Sequence, residues 1–131
     1  QVGVRSLSRE EYELVETGER ITTYFAHQWK ERRTELMGVL RELRGPVYLT
    51  IDVDGLDPSV VPSTGTPQPG GLSWSDTMEI LRSLTAAPQA RLLGCDIVEY
   101  VPSPHPPGSD IVCARLATKI IGFWAAGKTE M

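Results

Sequence analysis

Three aspartates fall within six residues at the end of an apolar run, in the stretch VYLTIDVDGLDP at positions 47–58. Carboxylates carried into the end of a buried strand are costly unless something positive compensates them. If the strand continues through Asp52 and Asp54, the two side chains project to the same side and Val53 faces the opposite layer. Two like charges so close oppose each other unless a cation lies between them. Carboxylate oxygen suits Mg2+ or Mn2+, and a D-x-D pair can reach two metals about 3.5–4 Å apart, the spacing of two-metal hydrolytic sites. Aspartate also caps turns with no ligand at all. Turn-capping is the better reading for Asp57, beside Pro58; metal is the better reading for Asp52 and Asp54.

The elements that must position these residues read as alternating strands and helices. VYLTI (47–51) suits a buried strand and RLLGCDIVEYV (91–101) another. Between them Ser73, with Asp76 three residues on, opens a helix over 73–86 whose Trp74, Met78, Leu81 and Leu84 share a face. Such a strand–helix–strand unit is a right-handed crossover with parallel strands, and ligands of open α/β sheets bind beyond the carboxyl ends of strands. Asp52 and Asp54 sit at one such end and Glu99 at the other, so three carboxylates distant in sequence are expected on one rim. The intervening loop 55–72, GLDPSVVPSTGTPQPGGL, leads straight out of the aspartates. Loops of that length are functional or disordered; its prolines favour an ordered active-site loop.

Upstream, Ser8 and Glu11 form a capping box for a helix reaching about Gly18, and ITTYF (21–25) suits a short strand. From His27 to Leu43, Trp29, Leu36, Val39, Leu40 and Leu43 make an amphipathic face. Beyond a proline-rich loop at 102–109, a last helix is predicted from about Asp110 to Ala126, with Ile111, Ala114, Ala117, Ile121 and Trp124 facing in. The order predicts an α/β domain whose parallel sheet has helices on both faces and the 47–51 strand at its centre.

At 131 residues the chain suffices for one compact domain, and its net charge of −4 gives no basic surface for nucleic acid. Lys30, Arg32 and Arg33 fit a solvated helix face. No apolar stretch approaches the ~20 residues of a membrane span. Cys95 and Cys113 lack metal-ligand spacing and read as small buried hydrophobes in a reducing compartment, which makes the expected location cytoplasmic. The opening QVGVR, with Val2 and Val4 already alternating, reads as the middle of a longer polypeptide.

The stretch IDVDGLDPSVVPSTGTPQPGGL resembles the signature of the ureohydrolases, the arginase and agmatinase superfamily, in which a strand ending S-x-D-x-D-x-x-D-P precedes a Gly-Thr-Pro loop and a Gly-Gly-Leu helix entry. Thr50 stands in the serine position. Asp96 to Pro102 matches a second family element, D-[LIV]-V-E-x-x-P, and VGVR is similar to the VGIR strand of agmatinases. The resemblance implies a three-layer α/β/α fold with a mostly parallel, arginase-like sheet, incomplete at its N-terminal side. Residues 1–131 would then be the C-terminal portion of a single ureohydrolase domain. It further implies two Mn2+ ions, Asp52 bridging both and Asp54 binding one, with Glu99 facing the substrate guanidinium and Thr66 lining the pocket. The implied reaction is hydrolysis of a guanidino compound to urea and an amine, in a homo-oligomer that is a trimer or hexamer. The loop TGTPQPGGL is closer to the agmatinase type than to the arginase type, with Gln68 where Glu is usual. That places agmatine, giving putrescine, ahead of guanidinobutyrate, other guanidino acids and arginine.

The family's other ligands lie in Gly-Gly-Asp-His and Asp-Ala-His-x-Asp stretches upstream of VGIR, and neither occurs in these residues. The histidines present are His27, read as an ordinary helix-start residue, and His105, in the proline loop and not expected to be a ligand. The isolated chain is therefore expected to be inactive. Asp96 is expected to make structural hydrogen bonds. Two other readings stay open: an inactive homologue or assembly half-domain, and a haloacid dehalogenase-like phosphohydrolase, which expects Thr where Leu56 stands. An EF-hand fails because Gly55 is misplaced in the loop.

Overall fold

The computed structural model describes residues 1–102 and 108–127. The elements in order are β1 (Val2–Val4), α1 (Arg9–Thr17), β2 (Tyr24–Phe25), α2 (Trp29–Arg41), β3 (Arg44–Asp52), α3 (Trp74–Thr85), β4 (Gln89–Val98) and α4 (Gly108–Ala126). Short 3-10 turns at Ala26–Gln28 and Val53–Gly55 precede α2 and follow β3. Both expected helix caps form, and each is a capping box. Ser8 accepts from the Glu11 amide while Glu11 reaches back to the Ser8 amide, and Ser73 and Asp76 repeat the exchange at α3. Each cap supplies partners for helix-end amides that would otherwise have none, which stabilises the helix by about 1 kcal/mol.

The chain forms two parallel strand pairs, β1 with β2 and β3 with β4. The β3–β4 ladder runs from Arg44 opposite Gln89 to Asp52 opposite Val98, with an irregularity between Val47 and Tyr48. The crossover through α3 thus gives the parallel pairing the sequence predicts. The expected central place of β3 is not met among the described residues, where β4 takes one edge and the other faces a groove toward β1.

One face of the β3–β4 pair is packed. Ile51 and Val53 form a core with Met78 and Leu81 of α3 and Leu116 and Ile120 of α4, and Leu49, Leu92 and Ile97 pack against it. The opposite face, where a second helix layer was expected, is open among the described residues and leaves Tyr48 63% exposed and Leu93 52% exposed. A second cluster joins Tyr24, Leu36 and Met37, so α2 buries Met37 where Val39 was expected, and Val39 is exposed. Arg33 of α2 pairs with Glu79 of α3 at 2.8 Å, and Trp29 Nε1 donates to Asp76 at 2.8 Å, tying the two helices together.

The inward face of α4 also differs from expectation. Ser109, Leu116 and Ile120 are buried, whereas Ile111 and Ile121 are exposed. This helix is apolar around most of its circumference, so periodicity does not select a face, and the contact with α3 and β4 does. The predicted strand at 21–25 shrinks to two residues because only Tyr24 and Phe25 find partners on β1.

Candidate active site

β3 ends at Asp52, and the chain turns at once into the 3-10 turn Val53–Gly55. Asp54 therefore lies on a turn and not on a continuing strand, and strand alternation does not explain its placement. A local bond does: the Asp54 amide donates to Asp52 Oδ1 at 2.9 Å, so Asp52 caps the turn that carries Asp54. Val53 is fully buried in the core, as expected of the residue between them. The Thr66 hydroxyl donates to Asp54 Oδ2 at 2.6 Å, bringing the Gly-Thr-Pro segment onto the aspartates. Asp54 Oδ1 is buried and has no hydrogen-bond partner among the described residues.

Glu99 is one residue past the end of β4 and exposed, not within the strand as its apolar neighbours suggested. Because Asp52 pairs with Val98, Glu99 lies at the same rim as Asp52. Its backbone φ is +61°, in the left-handed region that side chains other than glycine rarely adopt. The turn directs the carboxylate toward the loop, Oε2 lying 3.7 Å from where a Cβ on Gly65 would stand. An antiparallel bridge between Thr64 and Tyr100 holds loop and strand end together.

The loop 55–72 is ordered by Asp57. Its Oδ1 accepts from the Ser59 amide and hydroxyl, and its Oδ2 from the Gly70 amide, bonds that pull its pKa from 3.8 down to about 2. Its amide donates to the Leu72 carbonyl, while the Leu72 amide donates to Gly55, closing the loop's base. Gly71 sits where a Cβ would come within 2.5 Å of the Leu56 backbone, so only glycine permits that closure. Turn-capping, the reading preferred for Asp57, is what the residue does.

Asp96 likewise makes structural bonds, accepting from the Tyr48 hydroxyl at 3.1 Å and from Thr50 Oγ1 on the open face of the sheet. The bond to Asp96 makes the Tyr48 phenol harder to ionise. His27 is an exposed residue of the 3-10 turn before α2, stacked on Phe25, and His105 lies outside the described residues. Cys95 and Cys113 are free and half-buried, and burial raises the Cys113 thiol pKa.

Sequence reasoning overlooked Arg5. Its Nη1 donates to the carbonyls of Gly3 and Gly55 at 3.0 and 3.1 Å, and its Nη2 donates to the carbonyl of Asp54. The VGVR motif contains it, but nothing local to that motif shows that it reaches a turn fifty residues on. Beside it a groove of about 730 Å³ runs between β1 and the free edge of β3. Leu40, Ile80 and Leu84 line its apolar part; Asp52, Asp54 and Thr66 line its polar part.

The donor set that this rim offers to a cation is carboxylate oxygen, suited to a hard divalent ion. A buried carboxylate oxygen with no donor, at Asp54, is the feature such an ion would satisfy. Asp52 and Asp54 fit as part of a metal site. Among the described residues no cluster of three or more metal-type ligands occurs, so the two would supply only part of a coordination sphere.

The class that fold and site define is a parallel α/β scaffold with paired aspartates at a strand end, a Gly-Thr-Pro loop folded back on them and a glutamate beside that loop. The arginase family model matches residues 1–122, and the chain belongs to the arginase family. An N(1)-aminopropylagmatine ureohydrolase of Synechocystis sp. is 32% identical over 130 residues, which are 98% of this chain and 42% of the relative. A guanidinobutyrase of Pseudomonas aeruginosa is 45% identical over 76 residues, 56% of this chain and 23% of the relative. The crystal structure of an agmatine ureohydrolase of Thermoplasma volcanium superposes with a TM-score of 0.82 at 30% identity, covering 98% of this chain and 43% of that one. The chain thus spans about two fifths of the length of the full-coverage relatives. The resemblance read from the aspartate and glycine motifs is confirmed at the level of family and fold.

Proposed function

We propose that this chain is the C-terminal portion of a ureohydrolase that uses two Mn2+ ions to hydrolyse a guanidino compound to urea and an amine, agmatine being the first candidate. The observation that carries the reading is the Asp54 carboxylate, one oxygen held by Thr66 and the other buried without a donor beside Asp52. Asp52 and Asp54 would hold metal, and bound ions of this kind supply water activated as a nucleophile at neutral pH. Thr66 fixes the carboxylate's rotation. Glu99 is exposed at the rim, where it would accept hydrogen bonds from a cationic guanidinium, whose planar fork matches a carboxylate. The orientation of that plane sets which face of the guanidinium carbon meets the metal side of the site. The named activities of the relatives support a guanidino substrate, and the loop TGTPQPGGL supports agmatine among such substrates.

Residues 1–131 alone supply two ligands and are proposed to lack activity, the remaining ligands coming from the rest of the protein. No described helix is long and apolar enough to cross a membrane; a cytoplasmic homo-oligomer without nucleic-acid partners remains part of the proposal. The test is a urea assay on the whole protein, loaded with Mn2+ and offered agmatine, guanidinobutyrate, aminopropylagmatine and arginine. Urea from agmatine at the highest kcat/KM is the expected result. A protein that binds Mn2+ and releases urea from none of them is an inactive homologue.

A further inference from the structure

We propose that Arg5 is a positioning residue for the metal centre, holding the main chain of the turn after β3 so that the Asp54 carboxylate keeps one orientation. This inference rests on the metal-hydrolase reading above. Asp54 is held at three points. Its amide is bound by Asp52, its carboxylate Oδ2 by Thr66, and its carbonyl by the Arg5 guanidinium. The same guanidinium takes the next carbonyl, that of Gly55, and the carbonyl of Gly3 in β1. Main chain and side chain of Asp54 are thus fixed on every side but one, and the atom left over is the buried, donorless Oδ1.

The choice of acceptors matters. A guanidinium beside two aspartates could pair with a carboxylate directly and would then compete with any cation for its oxygens. Arg5 makes no ion pair with either aspartate among the described residues, and its three bonds all go to main-chain carbonyls. It orders the turn and leaves the carboxylate oxygens to a metal. A rigid planar fork can bind several carbonyls on different segments at once. A lysine ammonium is a point donor on a flexible stem and holds such a set less firmly. The bond also ties β1 to the turn after β3 across the groove, so the distance between these segments is set at the site itself.

The whole protein carrying this chain, freed of metal and titrated with Mn2+ by calorimetry well below its melting temperature, tests the proposal. Removing an outer partner of a metal ligand weakens metal binding by about tenfold to a hundredfold, and Arg5→Met is expected to fall in that range. Arg5→Lys should recover part of the loss. A role confined to folding would lower the melting temperature of the metal-free protein but leave the affinity of the folded variant unchanged. A folded Arg5→Met that binds Mn2+ as tightly as the wild type overturns the proposal. If Arg5→Met does not fold, Arg5→Lys decides: weaker binding supports the role, and wild-type affinity overturns it. A wild type that binds no Mn2+ refutes the metal-hydrolase reading, and this inference with it; tight wild-type binding unaltered in the variants refutes the role of Arg5 alone.

Discussion

The Thr66 hydroxyl donates a 2.6 Å hydrogen bond to Oδ2 of Asp54, twelve residues earlier, and leaves Oδ1 of the same carboxylate buried without a donor. Thr66 is therefore more than a wall of the pocket: it selects which oxygen faces inward. Thr66→Val removes the donor at nearly constant volume, and about a tenfold loss of Mn2+ affinity is expected in the whole protein. Thr66→Ser keeps the hydroxyl and should bind close to normally. Calorimetric titration of the metal-free proteins checks both, and equal binding by all three would remove Thr66 from the account.

Glu99 holds a left-handed backbone at φ +61° just past β4. For a residue with a Cβ this costs roughly 1–2 kcal/mol, and such strain persists where surrounding structure enforces it. Asparagine tolerates this region better, so Glu99→Asn should raise the unfolding free energy by up to about 1 kcal/mol. The same change removes the anion proposed to hold the guanidinium and should depress kcat/KM by about a hundredfold or more. Denaturant unfolding and urea release, measured on one preparation of the whole protein, give opposite signs if strain and function share this residue. A loss in both would mean that Glu99 contributes mainly to packing.

Asp57 gives a pH dependence whose sign follows from its bonds. Three donors lower its pKa in the folded protein to about 2 from 3.8. A depressed folded pKa contributes stability that is present above the unfolded value and lost as pH falls through the folded one. The loop 55–72 should thus loosen between about pH 4 and pH 2. Asp57→Asn should lower the melting temperature at neutral pH and flatten this part of the acid limb. Melting curves across that range decide; an unchanged slope in the variant would assign the acid sensitivity elsewhere.

What the sequence disclosed and what it withheld divide by range. Ser8 with Glu11 and Ser73 with Asp76 lie three residues apart, and both helix caps form where they were read, because a cap is settled within one turn. The parallel pairing of β3 and β4 was legible because the helix between them leaves the crossover little choice. The inward face of α4 was not, since Ile111 and Ile121 are as apolar as Leu116 and Ile120 and only the neighbours distinguish them. At the site, the aspartates and the loop announced themselves by spacing. The bond from Arg5 to Asp54 spans 49 residues, and the turn that sets Glu99 aside from its strand leaves no composition signal.

Asp52 and Asp57 lie five residues apart in one motif and are expected to fail differently. Asp52 ends β3 opposite Val98, is exposed at the rim, and uses one oxygen to cap the turn that carries Asp54. Its second oxygen accepts no hydrogen bond among the described residues and is open to the proposed metal, which a neutral amide would bind more weakly. Asp57 has both oxygens committed to Ser59 and Gly70 inside the loop. In the whole protein Asp52→Asn keeps an oxygen for the Asp54 amide, so the turn should survive and the melting temperature of the metal-free protein should change little. Its bound Mn2+, counted by elemental analysis after dialysis, should drop below that of the wild type, and urea production should fall with it. Asp57→Asn should melt earlier yet retain more of its metal at low temperature, since it displaces the loop without removing a ligand. Equal metal content in both variants and the wild type would show that Asp52 is not a ligand and that the rim holds its cation, if any, by other groups.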